Sequence, residues 1–203
     1  MRATGIGFRA KTGRAIAVAL ALDGATPLYL SRWEISLIDN AFPATGQPHH
    51  HLMEMPWPEA LETVKALETR VERVAFKALS GILEELKSKD ARVKGVGVVG
   101  SPDRDLERIG NRHMRAHAAE GILFRRVLEA AARQHDIRCR SLSDRNIKEV
   151  ATIELDQNPD SFLTLIGRSA GKPWRADERA AALAAWLILG RAPLQRHPNI
   201  RTV

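Results

Sequence analysis

The order in which hydrophobic periodicity changes along the chain is its strongest constraint. Residues 4–39 read as extended segments broken by two turns: an apolar start, a Lys-Thr-Gly turn, the run "AIAVALAL" and then "DGATP". In "LYLSRWEISLID", Leu28, Leu30, Arg32, Glu34 and Ser36 fall on one parity and Tyr29, Trp33, Ile35 and Leu37 on the other. This period of two predicts a meander of three antiparallel strands. The period then changes. Leu61, Val64, Leu67, Val71, Val74, Ala78, Leu79, Ile82 and Leu86 repeat at helical spacing, which predicts a helix over 59–90 with a kink near residues 79–81. "VKGVGVVG" (93–100) reads as a short central strand covered on both faces. A helix over 112–135 with Asn111 as N-cap, a strand over 137–143, a helix opening at "SDRNIK" with Ser143 or Asp144 as cap, a short helical piece and a helix over 174–190 ended by Gly190 complete the pattern.

The sum is β-β-β-α-β-α-β-α-α. It predicts an α/β fold around a mixed sheet of about five strands, three antiparallel then two parallel, flanked by helices. With 203 residues and no repeat or linker, 1–203 reads as a single domain. Two segments stand apart. Residues 40–58, "NAFPATGQPHHHLMEMPWP", read as a long Pro/His-rich loop, because four prolines and a glycine disfavour a regular element. Residues 191–203 form a basic tail carrying Arg191, Arg196 and Arg201 and no acid.

Composition narrows the function classes. No apolar run reaches the ~18 residues of a membrane span, and the N-terminus lacks the pattern of a signal peptide. Cys139 is the only cysteine, so an intrachain disulfide and a cysteine-based zinc site are excluded. A cytoplasmic location is the simplest expectation. Net charge is +7, and residues 104–148 hold 11 Lys and Arg against 6 Asp and Glu. That balance favours an anionic partner such as nucleic acid, although arginine used for solubility produces the same number.

Three stretches together resemble the RNase H-like superfamily, and more narrowly the RuvC-type Holliday-junction resolvases. "GIGFRAKTGRAIAVAL" matches their strand, Gly-rich hairpin and second strand. "AAEGILFRRVLEAAARQHDIRCRSLSDRNIK" matches their small-residue helix, a strand and a segment ending in lysine. "RADERAAALAAWLIL" matches their final helix, with acids before an alanine-rich run. The resemblance implies a carboxylate cluster holding two Mg²⁺ ions for phosphodiester cleavage. The chain departs from that pattern. Gly7 stands where the family has its first-strand Asp, and "GVVGS" ends the fourth strand without an acid. Asp103 and Asp105 follow only in the loop beyond it. Asp177 and Glu178 remain on the final helix, and Ala180 and Ala181 occupy the next turn.

"NRHMRAHAAEG" (111–121) carries the most chemistry. At about 100° per residue, His117 lies ~40° and Glu120 ~20° from His113, so the three share one helix face. That face begins beyond the carboxyl end of a central strand, where α/β sheets bind ligands. His113, His117, Glu120, Asp177 and Glu178 are therefore the expected ligands of a divalent metal (Mg²⁺, Mn²⁺ or Zn²⁺), with His117, Glu120 and Asp177 as candidate catalytic groups. Arg112, Arg115, Arg125 and Lys172 are candidates for holding phosphate. The plain alternative is a half-exposed polar helix start in which Glu120 pairs with Arg115. In "PHHHLMEMPW", adjacent histidines cannot all reach one ion. His49 and His51 would do so if extended, and a histidine of this loop would join His117 and Glu120 if the loop folds over the sheet edge. Otherwise Trp57, Met53 and Met55 make it a cover for apolar surface.

Three functions fit these features. One is a nucleic-acid-associated RNase H-like protein, either a non-standard metal-dependent nuclease or a binding-only relative. Another is a small-molecule or nucleotide hydrolase using the His/Glu/Asp groups. The third is a non-catalytic homodimer built on the long helix 59–90.

Overall fold

A computed structural model describes residues 1–24, 26–156 and 158–190. The basic tail 191–203 lies outside the described residues. Strands β1 (Arg2–Lys11), β2 (Arg14–Asp23) and β3 (Thr26–Ser36) form the meander. A 3-10 turn at Pro43–Gly46 and the short helix α1 (Pro48–His51) follow, then α2 (Trp57–Ser88), β4 (Ala91–Gly100), α3 (Arg112–Gln134) and β5 (Cys139–Ser143). Helices α4 (Ile147–Leu155), α5 (Pro159–Ala170) and α6 (Ala176–Leu189) close the chain.

The sheet order is β3-β2-β1-β4-β5. β1–β2 and β2–β3 pair antiparallel, and β1–β4 and β4–β5 pair parallel. Gly13, at φ 71°, makes the tight reversal between β1 and β2 that the Lys-Thr-Gly turn predicts. Alternation divides the sheet into two buried faces. Ile6, Phe8, Ala17, Ala19, Val96 and Val98 pack against α2 and α3. Ile16, Val18, Leu20, Val99 and Leu142 pack against α4, α5 and α6. With both faces covered, β4 reads as a nearly unbroken apolar run.

Several local expectations shift. α2 runs unbroken from Trp57 to Ser88, without the expected division near residue 80. Its buried stripe of Val71, Ala75, Leu79, Ile82 and Leu86 continues across that point. Pro58 sits inside the first turn, where no backbone N–H is needed. α4 begins at Ile147, later than a cap at Ser143 or Asp144 implies, because Ser143 is still paired with Gly100 in the sheet. Asn111 caps α3 as expected, its Oδ1 accepting from the Met114 N–H at 2.9 Å.

The segment 40–58 holds more regular structure than its prolines suggest. Pro43 and Pro48 each open a helical turn, the position at which proline is tolerated. Buried Thr45 ties the segment down: its Oγ1 accepts from the Asp39 N–H at 2.9 Å and donates to the Phe42 carbonyl at 2.7 Å. α1 then lies against α3.

Candidate metal centre

α3 presents His113 and His117 one turn apart, and their Nε2 atoms approach to 3.1 Å. α1 brings His50 over them, with ring centroids 4.9 Å from His113 and 4.3 Å from His117. One ring nitrogen from each of the three lies within 4.8 Å of the others. In a tetrahedral zinc site with Zn–N of about 2.0–2.1 Å, donor nitrogens stand ~3.3 Å apart. The His113–His117 pair already has that spacing, and a ring nitrogen of His50 lies within 4.8 Å of both.

Glu120 sets the orientation of His50. Its carboxylate is wholly buried, and Oε1 lies 2.8 Å from His50 Nδ1 and 3.2 Å from the His50 backbone N–H. A carboxylate accepts only, so Nδ1 carries the proton, and in the neutral ring Nε2 carries the lone pair. His50 Nε2 is buried and has no hydrogen-bond partner among the described residues, and neither has Glu120 Oε2. A carboxylate behind an imidazole whose far nitrogen is free is the arrangement that fixes and strengthens histidine metal ligands. His113 and His117 are exposed, so the centre opens to solvent.

The expected ligand set divides. His113 and His117 come together, Glu120 stands behind His50 rather than beside His117, and the loop does contribute a histidine. That histidine is neither His49 nor His51. Helical turning of α1 buries His49 against Glu68, at 3.4 Å, and Trp57, and leaves His51 exposed. Asp177 and Glu178 lie across the sheet, at the start of α6. Asp177 faces Arg9 and Lys11 at 3.6 Å and Arg14 at 4.0 Å. Glu178 is buried as a helix cap, its Oε2 accepting from the Arg175 N–H at 2.8 Å.

The expected phosphate-holding cations divide too. Arg125 is buried and saturated by the Ser101 carbonyl, Glu129, Ser141 and Asp103 at 2.5–2.9 Å. Lys172 is exposed on the α6 side, its carbonyl accepting from Arg32. Arg112 and Arg115 stay beside the histidines. Arg112 faces Glu54 at 3.5 Å, and Arg115 donates to the Ile109 carbonyl and lies over the Trp57 ring.

The two-metal carboxylate cluster implied by the resemblance does not fit. A Cβ at Gly7 would stand 1.8 Å from the Ala181 carbonyl oxygen, because α6 rests directly on the sheet there. At Gly100, the end of β4, a Cβ would meet Arg125 Cβ at 3.0 Å. Beyond them Arg9, Lys11 and Arg14 surround Asp177, and Arg9 also holds Asp144 at 3.0 Å. Cationic groups and helix backbone fill the position where such ions would need oxygen ligands.

Two cavities flank α1. An open groove of about 910 Å³ is lined by Thr12, Arg14, Glu34, Gln47, His50 and His51, among others. A smaller cavity of about 170 Å³ is bounded by His49, the 52–57 segment and α3. Among the described residues no helix is long and apolar enough to cross a membrane.

No protein-family model matches the chain, and no curated protein matches it. Its fold is similar to that of Thermus thermophilus RuvC in complex with a Holliday junction substrate, at TM-score 0.50 and 12% identity over 90% of each chain. A second T. thermophilus RuvC structure aligns at TM-score 0.46 and 11% identity, again over 90% of each chain. The five-stranded mixed sheet flanked by helices is thus an RNase H-like fold of the RuvC type.

Proposed function

We propose that this chain is a nucleic-acid-associated metalloprotein that hydrolyses phosphoesters at the His50–His113–His117 centre. The observation that carries this reading is the buried Nε2 of His50, which has no hydrogen-bond partner among the described residues, with its Nδ1 held by Glu120. A ring nitrogen is rarely buried without a partner unless it serves something. Imidazole donors favour zinc or a similar transition ion, whereas Mg²⁺ favours oxygen ligands. A divalent ion with an open position supplies Lewis acidity to a phosphoester oxygen. His113 and His117 hold the exposed side of the centre, and Glu120 positions His50 without touching substrate. In the reaction, water attacks phosphorus, the bond to the leaving oxygen breaks, and a proton from water ends on that oxygen. The net charge of +7 supports an anionic polymer as substrate, and the fold likeness agrees with it.

Elemental analysis of untagged protein tests the centre, followed by cleavage of labelled single-stranded and duplex DNA and RNA. One zinc per chain, lost in His113→Ala together with cleavage, is the expected result. Zinc-free protein that refuses zinc on titration overturns it. A binding-only role is the second reading, favoured by the closed position at Gly7. It requires strongly salt-dependent nucleic-acid binding without cleavage.

A further inference from the structure

Strand register gathers cations at the end of the sheet beside α6. Arg9 and Lys11 stand two residues apart on β1, and Lys11 pairs with Arg14 of β2, so all three share one face. Arg32 of β3 pairs with Val18, which is buried on that same face. Its guanidinium donates to the Lys172 and Pro173 carbonyls and so ties the segment before α6 to the sheet. Lys172 and Arg175 border an open depression there. Arg32, Lys172 and Arg175 have no acidic partner among the described residues. Positive charge therefore exceeds negative charge at this corner, although Asp144, Asp177 and Glu34 lie within it.

Asp177 sits among these cations on terms that suit a larger anion. Its carboxylate lies 3.6 Å from Arg9 Nε, 3.6 Å from Lys11 Nζ and 4.0 Å from an Arg14 guanidinium nitrogen. None of these contacts is a hydrogen bond, which between charged N–H and O groups closes to about 2.7–2.9 Å. Arg9 gives one terminal nitrogen to Asp144 and Arg14 gives one to Glu34, each at 3.0 Å. The remaining guanidinium donors of both, and the three of Lys11, have no hydrogen-bond partner among the described residues. The side chains of Lys11 and Arg14 are 39% and 44% exposed, so those donors face solvent. A phosphate spreads its acceptor oxygens more widely than a carboxylate does and meets several such donors at once.

Resting on the nucleic-acid part of the function proposed above, but not on its metal centre, we propose that Arg9, Lys11 and Arg14 grip a phosphate of a nucleic-acid backbone, and that Asp177 is the internal anion standing among them in its absence. The carboxylate competes with the incoming phosphate and lowers affinity for it. A lone phosphate ion gains too little to displace it, whereas a polyanion is held at the same time by the unpaired charges of Lys172 and Arg175. Arg14 also lines the open groove between the β1–β2 turn and the 43–51 segment, which gives a strand room to continue past the cluster.

The test is fluorescence titration of a labelled DNA duplex, and of its single strand, with full-length protein in the presence of a chelator that keeps zinc out. Each variant has a control that changes the charge equally on α2: Lys11→Gln against Lys65→Gln, and Asp177→Asn against Glu62→Gln. Lys65 and Glu62 pair with each other, largely exposed, away from the cluster. Lys11→Gln should weaken binding by about fivefold or more and lower the salt slope by about 1, and Lys11→Arg should restore both. Asp177→Asn should bind about fivefold tighter, the effect of removing one unit charge ~4 Å away in water. Both α2 controls should stay within about twofold of wild type, and inorganic phosphate should not compete at the concentrations that titrate the DNA. Lys11→Gln no weaker than Lys65→Gln, or Asp177→Asn no tighter than Glu62→Gln, overturns the grip while leaving nucleic-acid binding standing elsewhere on the surface. Wild-type protein that binds neither DNA overturns the nucleic-acid reading itself.

Discussion

Glu120 Oε1 lies 2.8 Å from His50 Nδ1, joining a wholly buried carboxylate on α3 to a histidine on α1. The bond spans 70 positions of sequence, and it fixes which nitrogen of His50 stays free. Glu120→Gln retains the shape and an accepting oxygen but removes the charge. Zinc affinity should fall about 10- to 100-fold in competition with a chromophoric chelator, with thermal stability nearly unchanged. Unaltered affinity would assign Glu120 to packing alone.

Position 7 offers the opposite kind of experiment. Gly7→Asp restores the acid that the nuclease resemblance implies, but its Cβ collides with the Ala181 carbonyl. The substitution should destabilise the fold by about 3 kcal/mol or more, seen as a lower urea midpoint. It should confer no Mg²⁺-dependent cleavage. A well-folded, newly Mg²⁺-dependent variant would show that α6 can move off the sheet.

Asp177 was expected among the metal ligands, and it lies on the far face of the sheet among Arg9, Lys11 and Arg14. These pairs are partly exposed and long, so Asp177→Asn should cost under about 1 kcal/mol. Zinc binding should not change. Loss of zinc in this variant would contradict the separation of the two clusters.

Arg125 is built into the interior rather than offered to phosphate. Arg125→Met leaves Glu129, at 8% exposure, as a buried charge without its 2.6 Å partner. Removal of one member of such a pair costs about 3–5 kcal/mol, measurable by denaturant unfolding. Nucleic-acid affinity per folded molecule should be unaffected. A selective loss of affinity at full stability would return Arg125 to the binding surface.

Cys139 provides a readout of β5. Burial pushes its thiol up to about 11, and the nearby Glu129 carboxylate adds to the rise. Only the thiolate reacts. At pH 8 a disulfide reagent should therefore modify the folded protein far more slowly than the urea-unfolded chain, the rate rising as pH approaches 11. Equal rates in both states would mean that β5 opens freely.

The sequence by itself determined the architecture. Period-two alternation in residues 26–36, the apolar run ending at Gly100 and the helical repeats after Trp57 are local patterns, imposed residue by residue by burial of one face or, in the apolar run, of both. The pairing of His113 with His117 was equally legible, because helix geometry alone brings i and i+4 together. Tertiary structure decided what completes that pair. Nothing local distinguishes His50 from His49 or His51. The choice came from how α1 seats on α3 and from a buried carboxylate that selects one backbone N–H and one ring. Asp177 and Arg125 illustrate the same limit. Their residue types suit a metal or a phosphate, but the seating of α6 on the face of the sheet away from α3, which separates Asp177 from the histidines, and the packing that encloses Arg125 depend on contacts between distant segments. Chemistry at a site is a property of which side chains meet, and the meetings here are fixed by the sheet between them.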